Sequence, residues 1–597
     1  MNMRKYIFLL VLAGVFIGIS SCNDSFLDRS PLASISDANY WKSPNDLKLY
    51  VNNLYNQDAL LPRYSGTNFG PSKDDANAGA DTDVTIDYNR RMNGENTIPS
   101  SGGGWSSDDW SLLRNINYFM DHYQRVDAEW NEVKQYVGEA LFFRSLFYFN
   151  KMRSFGDLPW TSTTVGLESD DILYAPRLSR SQVTDNILTD LDNAVEYLAA
   201  RGNGKWTGRI TKEAALALQA RIALYEGTWE KYHALKNTSF KVVGSDGHKF
   251  VQKAADAAGL LMKMAELNGY PALANVGEEN GYGKLFNQSD YSENKEVILW
   301  RKYTVDESSN GWQRYTYAGA GRGLSKKMID SYLCMDGKPI TGNSYYKGDR
   351  SLLDVVANRD PRLSQTIFVD DKKHIVWQDP QLLFTLPTFE GDNSTNTSTG
   401  YQVCKGHAGR MEEYYTNKGT TGCIYFRYAE ILLIYAEAKA ELGTIEQADI
   451  NKTINRLRGR VGMPGLQMNA ITTDPQWEFA VSPLLNEIRR ERKIELVCEG
   501  FRVDDIFRWA AADEVIKGKK PLGAYRAQWE NRSDASAAFK NALKQLPVDV
   551  NGYIAPYDKY GAMDEGYQFN LDRDYLKPLP TEELVLNPQL KQNPGWD

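Results

Sequence analysis

Apolar residues recur at helical spacing in several long runs, while sustained apolar–polar alternation, the mark of a half-buried strand, is scarce. The clearest run passes from Glu139 through Ala140, Phe143 and Phe147 to Met152. It is apolar nearly all round, which predicts a helix enclosed by other helices. From Thr211 a second run reaches Tyr225 and sets Ala215, Leu218, Ile222 and Tyr225 on one face. A third helix is predicted over Tyr425 to Leu442, ended by Gly443 as a left-handed cap. A fourth starts at Ser482, an N-cap followed by Pro483 at the first helical position. The helices fall into short-linked pairs: 110–126 with 130–154, 180–200 with 211–229, and 425–442 with 448–460. Small residues such as Ala214, Ala217, Ala220, Ala436 and Ala440 permit close crossings. The irregular stretches 60–108 and 270–420 are too long to be mere connections, and loops of that length usually carry function.

The N-terminus changes the picture from a helical protein to an exported one. Arg4 and Lys5 precede an apolar run, Tyr6 to Ile19, that is too short to span a bilayer. Ile19-Ser20-Ser21-Cys22 then reads as a lipobox, predicting a signal peptide over 1–21 and lipid attachment at Cys22. Acyl chains anchor stably because each buried CH₂ contributes about 0.8 kcal/mol. Residues 22–40 are expected to form a short tether, and no later stretch is apolar enough for a transmembrane helix. The formal charge of -8 argues against a nucleic-acid partner, whose phosphates call for basic surface. Cys334, Cys404, Cys423 and Cys498 show no CxxC spacing, and the five histidines stand apart. Asp75 to Ala80 begins like an EF-hand loop but lacks the third ligand and the sixth-position glycine. Gly319 to Gly323 lacks the strand–helix context of a dinucleotide loop. No metal or cofactor is expected.

The 14 Trp and 35 Tyr are the candidate chemistry, because their rings combine a flat apolar face with a polar edge. A ligand stacked on such a platform would be held further by Asp, Asn and Arg side chains that hydrogen-bond it in a wet groove. Two irregular regions offer the mixture. One holds Asp81, Asp83, Asn89 and Arg90, followed by Trp105 after three glycines; the other holds Trp312, Arg314, Tyr315 and Tyr317. Trp105 is expected to be exposed, since its surroundings are polar and glycine-rich, and Trp110 to lie in the core. Glu491 and Glu495 could serve as paired carboxylates, but Arg492, Arg502 and Arg508 crowd them, so an ion network tying helices together is expected. Arg427 and Glu430 are expected to pair at i,i+3.

Several segments resemble, in order, the SusD/RagB family. They include Trp110-Ser111-Leu112-Leu113-Arg114-Asn115-Ile116-Asn117, Glu139 to Arg144 with Phe155-Gly156-Asp157-Leu158-Pro159, and Gly208 to Ala215 with Ala220-Arg221. They continue through Asp360-Pro361-Arg362-Leu363, Arg427 to Glu430, Glu491 to Trp509, and the ending Asn587 to Gly595. The resemblance implies a mainly α fold: tetratricopeptide-like helix pairs in a right-handed superhelical scaffold, with irregular loops carrying the ligand face. It divides the body into an N-terminal region, 41–270, and a C-terminal region, 271–597. It further implies a binding protein rather than an enzyme, lipid-anchored at the outer-membrane surface. Such a protein delivers oligosaccharide, or peptide in some members, to a SusC-like TonB-dependent β-barrel transporter. A glycoside hydrolase needs only two carboxylates and stays as an alternative, although no nucleophile motif appears. A helical scaffold with no small ligand is the other.

Overall fold

The computed structural model describes residues 40–62, 89–166, 168–202, 207–274, 281–319, 321–391, 396–415, 418–476, 479–559 and 561–597, with the Asp170 side chain left out. Cys22, Asp81, Asp83 and the run Asp75 to Ala80 lie outside the described residues.

Helices dominate. α1 (Pro44–Tyr55), α2 (Ser107–His122) and α3 (Trp130–Phe155) come first, then the short α4 (Asp170–Leu173). α5 (Arg180–Tyr197), α6 (Lys212–Leu235) and α7 (His248–Asn268) follow. From Val137 to Met152 α3 is buried on every side, its apolar residues interrupted by the buried Glu139, Arg144, Asn150 and Lys151. It packs on α5, α5 on α6, and α6 on α7, so successive helices stack as tetratricopeptide-like pairs. α6 and α7 cross closely at Gly227, where an added Cβ would stand 2.6 Å from the Val251 nitrogen.

Strand β1 (Val297–Arg301) opens the second half, and the irregular region holds α8 (Trp312–Ala318) and the hairpin β2 (Ile375–Trp377)–β3 (Leu382–Leu383). β4 (Cys423–Arg427) pairs antiparallel with β1, matching Leu299 with Phe426, and runs directly into α9 (Tyr428–Glu441). The helix predicted from Tyr425 therefore starts three residues later, because Tyr425 to Arg427 belong to this strand. Gly443 takes the expected left-handed conformation. α10 (Pro483–Glu495) starts as its cap predicts, with the Ser482 hydroxyl accepting from the Leu485 N–H. α11 (Arg502–Arg508) follows, and α12 (Thr581–Leu586) lies near the C-terminus. Among the described residues no helix is long and apolar enough to cross a membrane.

One apolar core runs through the helix stack; a second, containing Trp312, Phe368, Trp377 and Trp529, underlies the irregular region. α10 joins them, with Ile488 in the first core and Ile494 in the second. Cys334, Cys404, Cys423 and Cys498 are free thiols.

A buried ion network ties the elements together as expected, but with other partners: Glu491 and Glu495 are met by Arg362, Arg427, Arg458 and Arg460, while Arg492 and Arg508 serve Asp505. Arg362 reaches Asp360 at 2.7 Å, Glu491 at 2.6 Å and Glu495 at 2.9 Å. Arg427 reaches Glu495 and Glu499 at 2.7 Å and Glu296 at 3.0 Å, while Arg460 also meets Glu495. These guanidinium groups hold the Glu495 carboxyl well below the usual carboxylate range against the opposing effect of burial. Arg492 and Arg508 share Asp505, and Arg508 continues to Glu437. The expected Arg427–Glu430 pair is replaced: Glu430 takes Arg221 of α6 at 2.7 Å, while Arg427 turns to three carboxylates from other segments. The family-like motifs are thus mainly the charged joints between elements.

Candidate functional site

Of the two expected regions, the second forms an aromatic face. α8 is anchored from inside. The Gln313 side chain donates to the Gly406 carbonyl and the Thr421 hydroxyl and accepts from the Ala408 N–H. His407 bridges α8 to β2: its Nε2 lies 2.8 Å from the Val376 carbonyl and its Nδ1 2.7 Å from the Thr316 hydroxyl. A carbonyl can only accept, so Nε2 carries the hydrogen and Nδ1 accepts from Thr316. Burial pushes the His407 pKa down to about 4, which keeps the ring neutral at physiological pH. The helix stops at Gly319, whose φ of +86° is left-handed. A Cβ there would stand 2.7 Å from the backbone of Asn396 and Thr397, so the helix end and that loop approach closely only around glycine.

This anchoring turns Arg314 and Tyr317, three residues apart, to the outer side of α8. The Tyr317 ring lies 4.8 Å from Trp377 of β2 and 5.3 Å from Tyr414, to which it is nearly perpendicular. The Arg314 guanidinium sits 6.0 Å from the Tyr414 ring, and Tyr415 extends the group at 5.9 Å with 62% of its surface exposed. The turn carrying Tyr414 is fixed by Glu413, which pairs with Arg410 and accepts from the N–H and hydroxyl of Thr420. Burial and the neighbouring Tyr414 raise the Tyr317 phenol above its ordinary pKa, so it stays protonated. The result is a partly exposed aromatic face of Tyr317, Tyr414 and Tyr415, with the buried Trp377 behind it and the Arg314 cation above Tyr414.

The expected ligand residues are distributed differently from the sequence reading. Tyr317 stands in this face, and Tyr315 is half-buried on the same helix. Trp312 is only 4% exposed and packs in the second core beneath α8, so its ring is not available for stacking. A Cβ at Gly406 would stand 2.5 Å from its indole nitrogen, so the glycine leaves room for the ring in the floor. Trp105 is likewise 4% exposed, against the expectation. Glycines 102 to 104, all with positive φ, turn the chain back and lay Trp105 edge-on against Trp110 at 5.1 Å and Phe155 at 4.9 Å. Trp110, expected in the core, is the half-buried ring that covers it.

Asn89 is buried and accepts from the Arg91 N–H, while Arg90 is exposed beside Glu95. Arg91 ties this turn to the carbonyls of Asp574 and Tyr575, so Asn89 and Arg90 follow the C-terminal segment rather than α8. The sequence reading missed Trp377, Tyr414, Tyr415 and His407. The Tyr414-Tyr415 doublet inside a long irregular stretch was the available signal.

Comparison with known proteins agrees with this architecture. The family model described as "SusD family" matches residues 276–596, more than half of the chain. A second model, "Starch-binding associating with outer membrane", matches residues 26–224. SusD-like protein P2 of Formosa agariphila is 22% identical over the whole of both chains. SusD-like protein P38 of the same organism is 26% identical over 232 residues, which span only 44% of its own length. Two crystal structures from Bacteroides fragilis superpose with TM-scores of 0.67 over 95% and 92% of this chain and 100% of theirs. They are a SusD-like protein at 22% identity and a SusD-like carbohydrate binding protein at 20%, likenesses that establish the fold. By fold, by the order of its motifs and by the extent of the family match, the chain belongs to the SusD family.

Proposed function

We propose that this protein captures an oligosaccharide or polysaccharide on the aromatic face formed by α8, β2 and the Met411–Tyr414 turn. Lipid-anchored through Cys22 at the outer membrane, it passes the ligand to a SusC-like TonB-dependent barrel. The carrying observation is the Tyr317–Tyr414–Tyr415 group beside Arg314, backed by the buried Trp377 and held from behind by Gln313 and His407. Pyranose rings expose C–H faces that pack on such rings, while phenol and guanidinium groups answer their hydroxyls. The family match and the wording of the second model support a glycan ligand.

The reading is one of binding without turnover. Glycoside hydrolysis needs two carboxyl groups flanking the bond, one of them free to give up a proton. Glu413, the carboxylate built into this face, is committed to Arg410 and Thr420. Calorimetry against soluble polysaccharides, with chromatography of the recovered sugars, tests both halves. Binding with intact sugar is expected; shortened sugar would overturn the non-catalytic reading.

A further inference from the structure

A second concave surface lies in the helix-stack half. It is a cleft of about 660 Å³, within the range of small-molecule sites, walled by α2, residues 159–165, α4 and α12. Four aromatic residues line it, Trp105 deep in its wall and Trp110, Trp160 and Tyr174 more open. Each is held differently. Trp110 packs against Trp105 and Phe147, with the Lys151 ammonium 5.4 Å from its ring. Trp160 stacks on Tyr148 at 4.1 Å with an interplanar angle of 23°, which takes one of its faces. Tyr174 is 47% exposed at the rim.

The walls are fixed by hydrogen bonds, so the cleft needs no rearrangement to exist. Asn117 donates to the carbonyls of Thr161 and Thr163 and accepts from Arg144. Asn587 donates to the Ala175 carbonyl, joining the strand of chain after α4 to the residue after α12. Arg114 donates one N–H to the Val165 carbonyl, which leans its guanidinium on the cleft wall. The lining is mainly apolar, with Arg114 and Glu583 as its charged members.

We propose that this cleft is a second saccharide site, taking a short run of pyranose units of the same glycan class. This rests on the glycan reading above. Preformed indole and phenol surfaces match sugar C–H faces, and Arg114 and Glu583 supply a donor and an acceptor for hydroxyls. An apolar ligand alone would make no use of that pair. Trp105 then acts indirectly, by backing Trp110. Two sites on one polymer raise avidity without any new contact at either.

The test is affinity electrophoresis through gels containing soluble starch, xylan, laminarin or galactan, using the full mature chain with Cys22 replaced by Ser. Tyr174→Ala and Trp160→Ala probe the cleft; Tyr415→Ala probes the α8 face. Losing one ring contact should weaken binding about two- to tenfold. For the polysaccharide that retards the wild type, a Tyr174→Ala/Tyr415→Ala double variant should migrate faster than either single variant. Unchanged migration of both Tyr174→Ala and Trp160→Ala overturns the cleft proposal while leaving the α8 reading intact. Full retardation of Tyr415→Ala with loss in Tyr174→Ala does the reverse. Tyr174 is a rim residue, so its removal does not depend on refolding a core.

Discussion

Replacing Arg427 by methionine should be among the most damaging single changes in this protein, and its damage should depend on pH. The guanidinium is buried and serves Glu296, Glu495 and Glu499 at 2.7 to 3.0 Å. Methionine keeps much of the apolar volume but removes the charge, leaving three buried carboxylates with one cation fewer. Arg460 still serves Glu296 and Glu495, and Lys405 still serves Glu499 at 2.7 Å. Breaking a buried ion pair from one side costs about 3–5 kcal/mol, and the triple sharing places this change at the upper end. In the wild type Glu495 and Glu499 are held below their ordinary pKa. A depressed carboxylate contributes stability above its unfolded pKa, about 4.3, and loses that contribution as pH falls through the folded value. In the variant those carboxylates lose a cation and take up protons more readily, so the gap to wild type should be full at pH 7.5 and narrow below the unfolded value, towards about pH 3. Urea unfolding followed by far-UV circular dichroism measures it. Adding Glu495→Gln to Arg427→Met should recover part of the loss. A destabilisation below about 1 kcal/mol, or one that is the same at both pH values, would refute the network argument.

Other outcomes follow from single buried groups. Glu230 is pushed up to about 7, first by burial and then by Glu226, with Ser245, Ser181 and Arg180 partly opposing. Its raised folded pKa costs nothing below about pH 4.3 and a growing amount as pH rises towards 7. Glu230→Gln should therefore stabilise the protein at pH 7.5, by up to about 3 kcal/mol, and change little at pH 4; equal effects at both would count against it. His407, held neutral until about pH 4, should leave glycan affinity level from pH 5 to 8, and a calorimetric step near pH 6.5 would contradict that assignment. Gly319→Ala puts a Cβ 2.7 Å from the Asn396 backbone in a left-handed conformation. It should cost about 1–3 kcal/mol and weaken ligand binding by displacing the end of α8, read as a lower urea midpoint with a raised Kd.

Much of the scaffold was legible because it depends on local pattern. The all-round apolar run over α3, the Ser482-Pro483 start and the Gly443 stop each act within one or two turns. Tyr425 to Arg427 were misread as helix because the competing partner, β1, lies over 120 residues earlier and only tertiary pairing brings it there. The same holds for Arg427, whose nearby Glu430 loses to carboxylates contributed by other segments. Trp105 shows the limit of judging exposure by neighbours: the polar, glycine-rich context was itself the device that folds the ring inward. The α8 face was found through Tyr317, but Trp377 and Tyr414 join it from distant turns that no spacing rule connects.

The central claim, that the α8 face binds glycan, is most directly tested by isothermal titration of the mature chain with the polysaccharide that retards it best, comparing wild type with Tyr317→Ala and Tyr415→Ala. The account predicts heat of binding in the wild type and a Kd raised about two- to tenfold by each substitution, with the urea midpoint of Tyr415→Ala close to wild type. Wild-type affinity retained in both variants would contradict it.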